Sequence, residues 1–316
     1  MSRRTRRTLF IVAAVLALLA VAVFLRSKAP PEAARLLPES DGIVYIDFKP
    51  IRAFFHKQLR PPERVPEYQQ FIDAVGVDPE RDLDQVAIAL HRSADPNGPN
   101  GPVAYSMVME GKITGKRLNA WLDGHATARE SYAGHTIYSI PSEGRTVRLT
   151  QIGYDMLAVS NTPTAEQIHS IIDRHSTAAW PFAGSSLLRR YYHNVPLLSL
   201  AWGVGKIGMP LSESGSIHIF GFTLPLADDA TFVASLRWAG SLHMRIDEFA
   251  PNAQTAASQT ASLNGLVAFA RALAQPLGSN SANNTLRELL DTAQVSQHGE
   301  RVVVTATVPA GFFSQL

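Results

Sequence analysis

The chain reads as α+β: two similar halves of mainly antiparallel sheet with packed helices, preceded by one N-terminal transmembrane helix. Three observations predict this. Strand-like runs follow one another across short turns, which favours antiparallel pairing. Helical spacings collect between groups of strands instead of alternating with single strands. An uncharged apolar run opens the chain. The implied organisation is a cytoplasmic tail at 1–8, an anchor at 9–25, a linker at 26–35, and α+β halves at 36–180 and 181–316.

The anchor comes first. Thr8 to Leu25 carries no charge, and as a helix it spans roughly 25 Å, near the lower limit for crossing a bilayer. Arg3, Arg4, Arg6 and Arg7 precede the run, against Arg26 and Lys28 after it. This bias orients the N-terminus to the cytoplasm and exports the body, giving a single-pass inner-membrane protein with a periplasmic or otherwise extracytoplasmic body. Ala20-Val21-Ala22 also has the form of a signal-peptide cleavage site. Val23, Phe24 and Leu25 favour a retained anchor, because a cleavage region is usually less apolar.

The body begins after a Pro- and Ala-containing spacer with the strand Gly42 to Phe48. Pro50 then opens a helix with Ile51, Phe54, Phe55 and Leu59 on one face. A second helix from Pro66 places Tyr68, Phe71, Ile72 and Val75 at helical spacing before Gly76 stops it. Strands Val86–His91 and Val103–Met109 follow, joined by a Pro-, Asn- and Gly-rich loop. A helix near Gly115 to His125 leads to strands Thr136–Ile140, Thr146–Ile152 and Met156–Ser160. Thr162 caps a helix whose first position is Pro163 and whose buried edge is Ile168, Ile171 and Ile172.

The second half opens with a short helix Ser185–Tyr192. Strands Leu197–Val204, Ile217–Thr223, Phe232–Trp238 and Leu242–Ile246 come next, then a long helix over Ala253–Ala274 closed by Pro276. A helix near Thr285 to Ala293 and the strand Val302–Val308 complete the series. Gly153 to Pro163 aligns without a gap on Gly299 to Pro309, each a turn, a strand and a proline. The alignment is the basis for expecting duplicated halves; two unrelated hairpin ends of equal length are the alternative.

Charge and composition narrow the function. The formal charge is +2 with 29 basic and 27 acidic residues, but six of the bases precede the first acid, Glu32, so the remainder is 23 against 27. A net-acidic body lacks the electrostatic footprint of nucleic-acid binding. With no cysteine there is neither a disulfide framework nor a thiol ligand. The ten histidines are scattered and form no zinc motif. His169 and Asp173, one helical turn apart, have ligand spacing but equally the spacing of an exposed i,i+4 ion pair. Asp78 to Asp84 brings oxygen side chains together but lacks the glycine and terminal glutamate of an EF-hand loop, and Asp95, Asn97 and Asn100 suit a calcium loop and equally a hairpin connection. Gly184-Ser185-Ser186 reads as a helix cap, and Gly203 to Gly208 lacks the residues of a phosphate loop.

No metal or cofactor is therefore expected. The favoured function is a non-enzymatic, membrane-anchored binding or scaffold module. The alternative is an envelope hydrolase or metal-dependent enzyme assembled from distant residues. Two basic and aromatic surfaces are the candidate contacts: Lys49, Arg52, Lys57, Arg60 and Arg64, suited to anionic headgroups, and Arg189, Arg190, Tyr191 and Tyr192. Expected partners are the membrane through 9–25 and an envelope protein, glycan or lipid.

Three segments, Leu37 to Asp47, Gly76 to Leu83 and Tyr132 to Tyr138, together resemble uncharacterised bacterial envelope proteins. That family has one N-terminal membrane segment and a duplicated α+β extracytoplasmic body. The resemblance covers the chain after the anchor and implies localisation and architecture. No activity or catalytic residue comes with it.

Overall fold

A computed structural model describes residues 28–55, 64–93, 95–97, 101–142, 144–177, 183–206, 216–219, 222–225, 230–274 and 281–309. The expected tail and anchor lie outside these. Among the described residues no helix is long and apolar enough to cross a membrane.

The protein is α+β, built on a twelve-stranded antiparallel sheet with helices on both faces. Its strands are β1 (Gly42–Asp47), β2 (Leu83–Arg92), β3 (Val103–Gly111), β4 (Ala128–Tyr132), β5 (His135–Ser142), β6 (Arg145–Ile152), β7 (Met156–Ser160) and β8 (Ser199–Lys206). The order in the chain continues with a separate hairpin, β9 (Ser216–Ile219) and β10 (Phe222–Pro225). The last four are β11 (Thr231–Trp238), β12 (Leu242–Phe249), β13 (Gln294–His298) and β14 (Arg301–Val308). The spatial order is β13-β14-β12-β11-β8-β1-β2-β3-β7-β6-β5-β4. Outward from β1 it runs β2, β3, β7, β6, and outward from β8 it runs β11, β12, β14, β13. On each side a strand late in the chain, β7 or β14, returns beside the third strand from the junction, β3 or β12. The sheet is continuous because β1 pairs antiparallel with β8, Tyr45 opposite Trp202.

Strand alternation sorts side chains between two faces. One cross-strand row runs Thr305, Arg245, Ser235, Trp202, Tyr45, Ala87, Val108, Ala158, Thr150. The middle of that face is the main core. It is covered by α1 (Glu32–Arg35), α6 (Glu166–Thr177) and α7 (Ser186–Tyr191), which contribute Ala33, Ala34, Ile168, Ile171, Ile172, Leu187 and Leu188. Burial of these residues follows from the helical spacing of the isoleucines, as the sequence predicts.

The opposite face is covered in two places. Helices α3 (Pro66–Val75) and α5 (Lys116–His125) pack over β3, β7 and β6. Helices α8 (Ala253–Ala274) and α9 (Ser281–Thr292) pack over β12 and β14. The remaining helices are α2 (Phe48–Phe55) and the single turn α4 (Pro79–Asp82).

Several expectations are corrected. Ala33 and Ala34 fall within the expected linker but are fully buried, because α1 plugs the main core. Helix α2 starts at Phe48, two residues before Pro50, which sits in the first turn where its missing N–H breaks no bond. Helix α6 starts at Glu166 and not at Pro163; Thr162 Oγ1 instead lies 2.8 Å from Ser160 Oγ and donates to the Thr164 carbonyl at 3.0 Å. The single strand expected over Ile217–Thr223 is the β9–β10 hairpin, with Ile219 opposite Phe222.

Two caps are where the sequence places them. Gly76 ends α3 at φ 71°, its N–H reaching the Ile72 carbonyl at 2.8 Å. Ser185 caps α7 by accepting from the Leu188 N–H at 3.4 Å. Asp78, considered for calcium, caps α4 instead, accepting from the Glu80 N–H at 3.1 Å.

Candidate functional site

An apolar cleft lies where α3 and α5 leave the sheet incompletely covered. Strands β3, β6 and β7 present Tyr105, Met109, Val147, Leu149 and Leu157 to this face by alternation. Helix α5 adds Leu118, Trp121 and Leu122, and α3 adds Phe71 and Val75, all at helical spacing. They enclose a cleft of about 380 Å³. Among the described residues no charged one lines it, and the side-chain hydroxyls there are those of Tyr105 and Ser142.

Aromatic rings frame the cleft. Phe71 meets Trp121 edge to face, centroids 5.5 Å apart at 90°, and Trp121 stacks on His125 at 4.3 Å. Phe71 is 40% exposed, although Ile72 and Val75 of the same helix are buried. The lining is thus hydrophobic, partly open to solvent, and large enough to take an apolar chain.

The residues singled out in the sequence fall elsewhere. On the basic segment, Lys49 Nζ lies 3.0 Å from Asp84 Oδ2, and Arg52 donates to Asp84 Oδ1 at 2.5 Å and to the Leu83 carbonyl. The hydrogen bond to Asp84 holds the Lys49 ammonium above its ordinary pKa. Arg64 bridges Asp78 at 3.0 Å and Glu80 at 2.8 Å. Three of the five cations are therefore matched by carboxylates; Lys57 and Arg60 lie outside the described residues.

In the second cluster Arg189 and Arg190 are exposed, with Arg190 over the Tyr191 ring at 5.4 Å. Both tyrosines turn toward the main core. Tyr191 packs on Phe249 at 5.2 Å, and Tyr192 meets Trp202 edge-on at 5.3 Å. Burial pushes the Tyr192 hydroxyl up to about 12.

His169 and Asp173 do not pair with each other. His169 Nε2 lies 2.8 Å from Glu130 Oε1, Asp173 accepts from the Tyr132 hydroxyl at 3.0 Å, and the Tyr132 and His169 rings stack at 3.8 Å. The i,i+4 ion pair is thus replaced by two contacts to edge strand β4. Among the described residues no group of three or more His, Asp or Glu could hold a metal ion.

Three histidines sit beside hydroxyls, as a nucleophile and its base do. His91 Nε2 lies 3.0 Å from Ser106 Oγ, but Ser106 is completely buried and continues into a chain of hydroxyls, Ser160 Oγ at 3.3 Å and then Thr162. Ser241 Oγ lies 2.9 Å from His243 Nε2, whose Nδ1 faces Thr307 Oγ1 at 3.5 Å. Ser296 Oγ is 3.5 Å from His298 Nε2. None of these hydrogen bonds places a carboxylate on the second imidazole nitrogen, so the orienting third member of a triad is missing from each.

No family model matches the sequence, and no curated protein matches it. Among solved structures, crystal forms III, IV and I of TP0453 are similar in chain path. Form III has 12% sequence identity and a TM-score of 0.46, covering 90% of this chain and 97% of that one. Form IV has 11% identity and a TM-score of 0.47, covering 92% and 97%. Similarity at this level bears on neither activity nor location.

Proposed function

We propose that the protein is a membrane-anchored, extracytoplasmic binding module that takes an acyl chain or similar apolar ligand in the cleft between α3, α5 and the sheet. The observation that carries this reading is the uncharged cleft of about 380 Å³, within the range of small-molecule sites. Burying an acyl chain there contributes about 0.8 kcal/mol per methylene. The organisation read from the sequence, a retained anchor at 9–25 and a linker leading into two related halves, completes the proposal. The matching strand order on either side of the β1–β8 pair supports descent of the halves from one repeat. Arg189 and Arg190 remain the exposed cations through which an envelope partner would be met.

The test is native mass spectrometry of the full chain transferred into amphipol after incubation with a long-chain fatty acid. Retention of one fatty acid per chain is expected, and its loss in Leu149→Arg and Trp121→Glu, each checked for an unchanged circular dichroism spectrum. No retention by the parent chain, or equal retention by both variants, would sink the reading. Protease added to spheroplasts tests the topology separately: the body should be digested, and a protected body contradicts export.

A further inference from the structure

Among the described residues no helix covers the main-core face of the sheet at its β12–β14 end, and what lies there is cationic. Two cavities, of about 330 and 310 Å³, share Pro196 and Arg245. The first is lined by Arg237, Arg245 and His243 together with the hydroxyls of Ser235, Thr292, Thr305 and Thr307. The second adds Arg301, His193 and Lys28. Among the described residues no carboxylate lines either cavity.

The alternation of β11, β12 and β14 puts Arg237 opposite His243, and His243 opposite Thr307, so cation, imidazole and hydroxyl stand in one row. Asp247, fully buried on the same face, anchors the arginines: Arg245 holds it with two contacts of 2.7 Å, and Arg301 Nε approaches it at 3.6 Å. One carboxylate thus sets two guanidinium groups, and a positive charge is left over. Arg301 Nε is buried without a hydrogen-bond partner, and Arg237 makes no hydrogen bond or ion pair among the described residues. A cavity with one guanidinium fixed by a buried carboxylate, a second, that of Arg237, left without a carboxylate among the described residues, and flanking hydroxyls is suited to a phosphate ester.

We infer that this cleft is a binding site for a phosphate monoester, with Arg237 and Arg245 holding the phosphate and Thr305, Thr307 and Ser235 facing the hydroxylated remainder. The site lies on the opposite face of the sheet from the apolar cleft, so the two are occupied independently. The ester is either a free small molecule or a lipid headgroup.

The test uses the full chain in amphipol and calorimetric titration with inorganic phosphate, then glycerol 3-phosphate, at low salt, followed by flotation with vesicles containing phosphatidic acid. Saturable phosphate binding is expected, weakened about tenfold in Arg237→Gln and by Thr305→Val with Thr307→Val, and unchanged in Arg129→Gln on the far edge of the sheet. Tighter binding of glycerol 3-phosphate identifies a soluble ester. Flotation lost in Arg237→Gln identifies a headgroup. Absence of binding by all three probes, or equal binding by wild type and Arg237→Gln, overturns the inference. Arg237 takes part in no ion pair among the described residues, so its replacement leaves the fold intact.

Discussion

Tyr45 of β1 stacks on Trp202 of β8, with ring centroids 5.3 Å apart and planes 22° from parallel. They face each other across the antiparallel pair that makes the two stretches of sheet one. Both are almost fully buried, beneath Tyr192 and the helices of the main core. Truncating Trp202 to Ala removes the largest ring from this junction and leaves a cavity beside the β1–β8 pair. A loss of about 3–5 kcal/mol is expected, and a smaller one for Trp202→Phe. Chemical denaturation of the full chain, followed by far-ultraviolet circular dichroism, measures both.

Asp247 is the carboxylate on which Arg245 and Arg301 converge. Asp247→Asn retains the shape but removes the charge that two guanidinium groups share at a buried carboxylate, their own side chains being about one third exposed. Solvent reaches the cations, so the cost falls below the roughly 3–5 kcal/mol typical of breaking a fully buried pair. The melting temperature should fall clearly in Asp247→Asn, and much less in Asp123→Asn, whose partner Arg129 and own side chain are both about half exposed.

His91 carries a pH dependence. Burial lowers its pKa from the ordinary value of 6.5, against the opposing influence of Asp41 and the Glu39 backbone. The folded chain therefore binds this proton less readily than the unfolded one. The stability contributed by neutral His91 is full above about pH 6.5 and is lost as pH falls through the lower folded value. Melting temperatures between pH 7.5 and 5 should decline less steeply in His91→Gln than in the wild type. Parallel declines would show that His91 is not the group responsible.

Much of the fold is legible in the sequence because most strands lie inside the sheet and alternate or run continuously apolar. Met156–Ser160 and the helix Ala253–Ala274 have the limits expected from their flanking turn and helix signals. Strands β4 and β13 escape such reading for one physical reason. Each lies at an edge of the sheet with mostly exposed side chains, Ala-Arg-Glu-Ser-Tyr and Gln-Val-Ser-Gln-His, so there is no buried face to impose alternation. The apolar cleft is equally silent. Its lining spans Phe71 to Leu157 and is gathered from five strands and three helices whose apolar residues look like ordinary core. Phe71 and Val75 are recognisable as a helix face, but that the sheet beneath remains partly uncovered depends on how α3 and α5 pack. The basic segment from Lys49 shows the converse: its charge excess in sequence is answered by Asp84, Asp78 and Glu80 from further along the chain.

The central claim is occupancy of the apolar cleft, and Trp121 on its wall reports it directly. The chain has four tryptophans, and bromine quenches an indole only at contact distance. Titrating the full chain in amphipol with a brominated fatty acid should quench a saturable fraction of the emission, and Trp121→Phe should abolish that fraction while leaving the secondary structure unchanged. Emission that ignores the brominated ligand, or quenching that persists undiminished in Trp121→Phe, would contradict an acyl chain bound against α5.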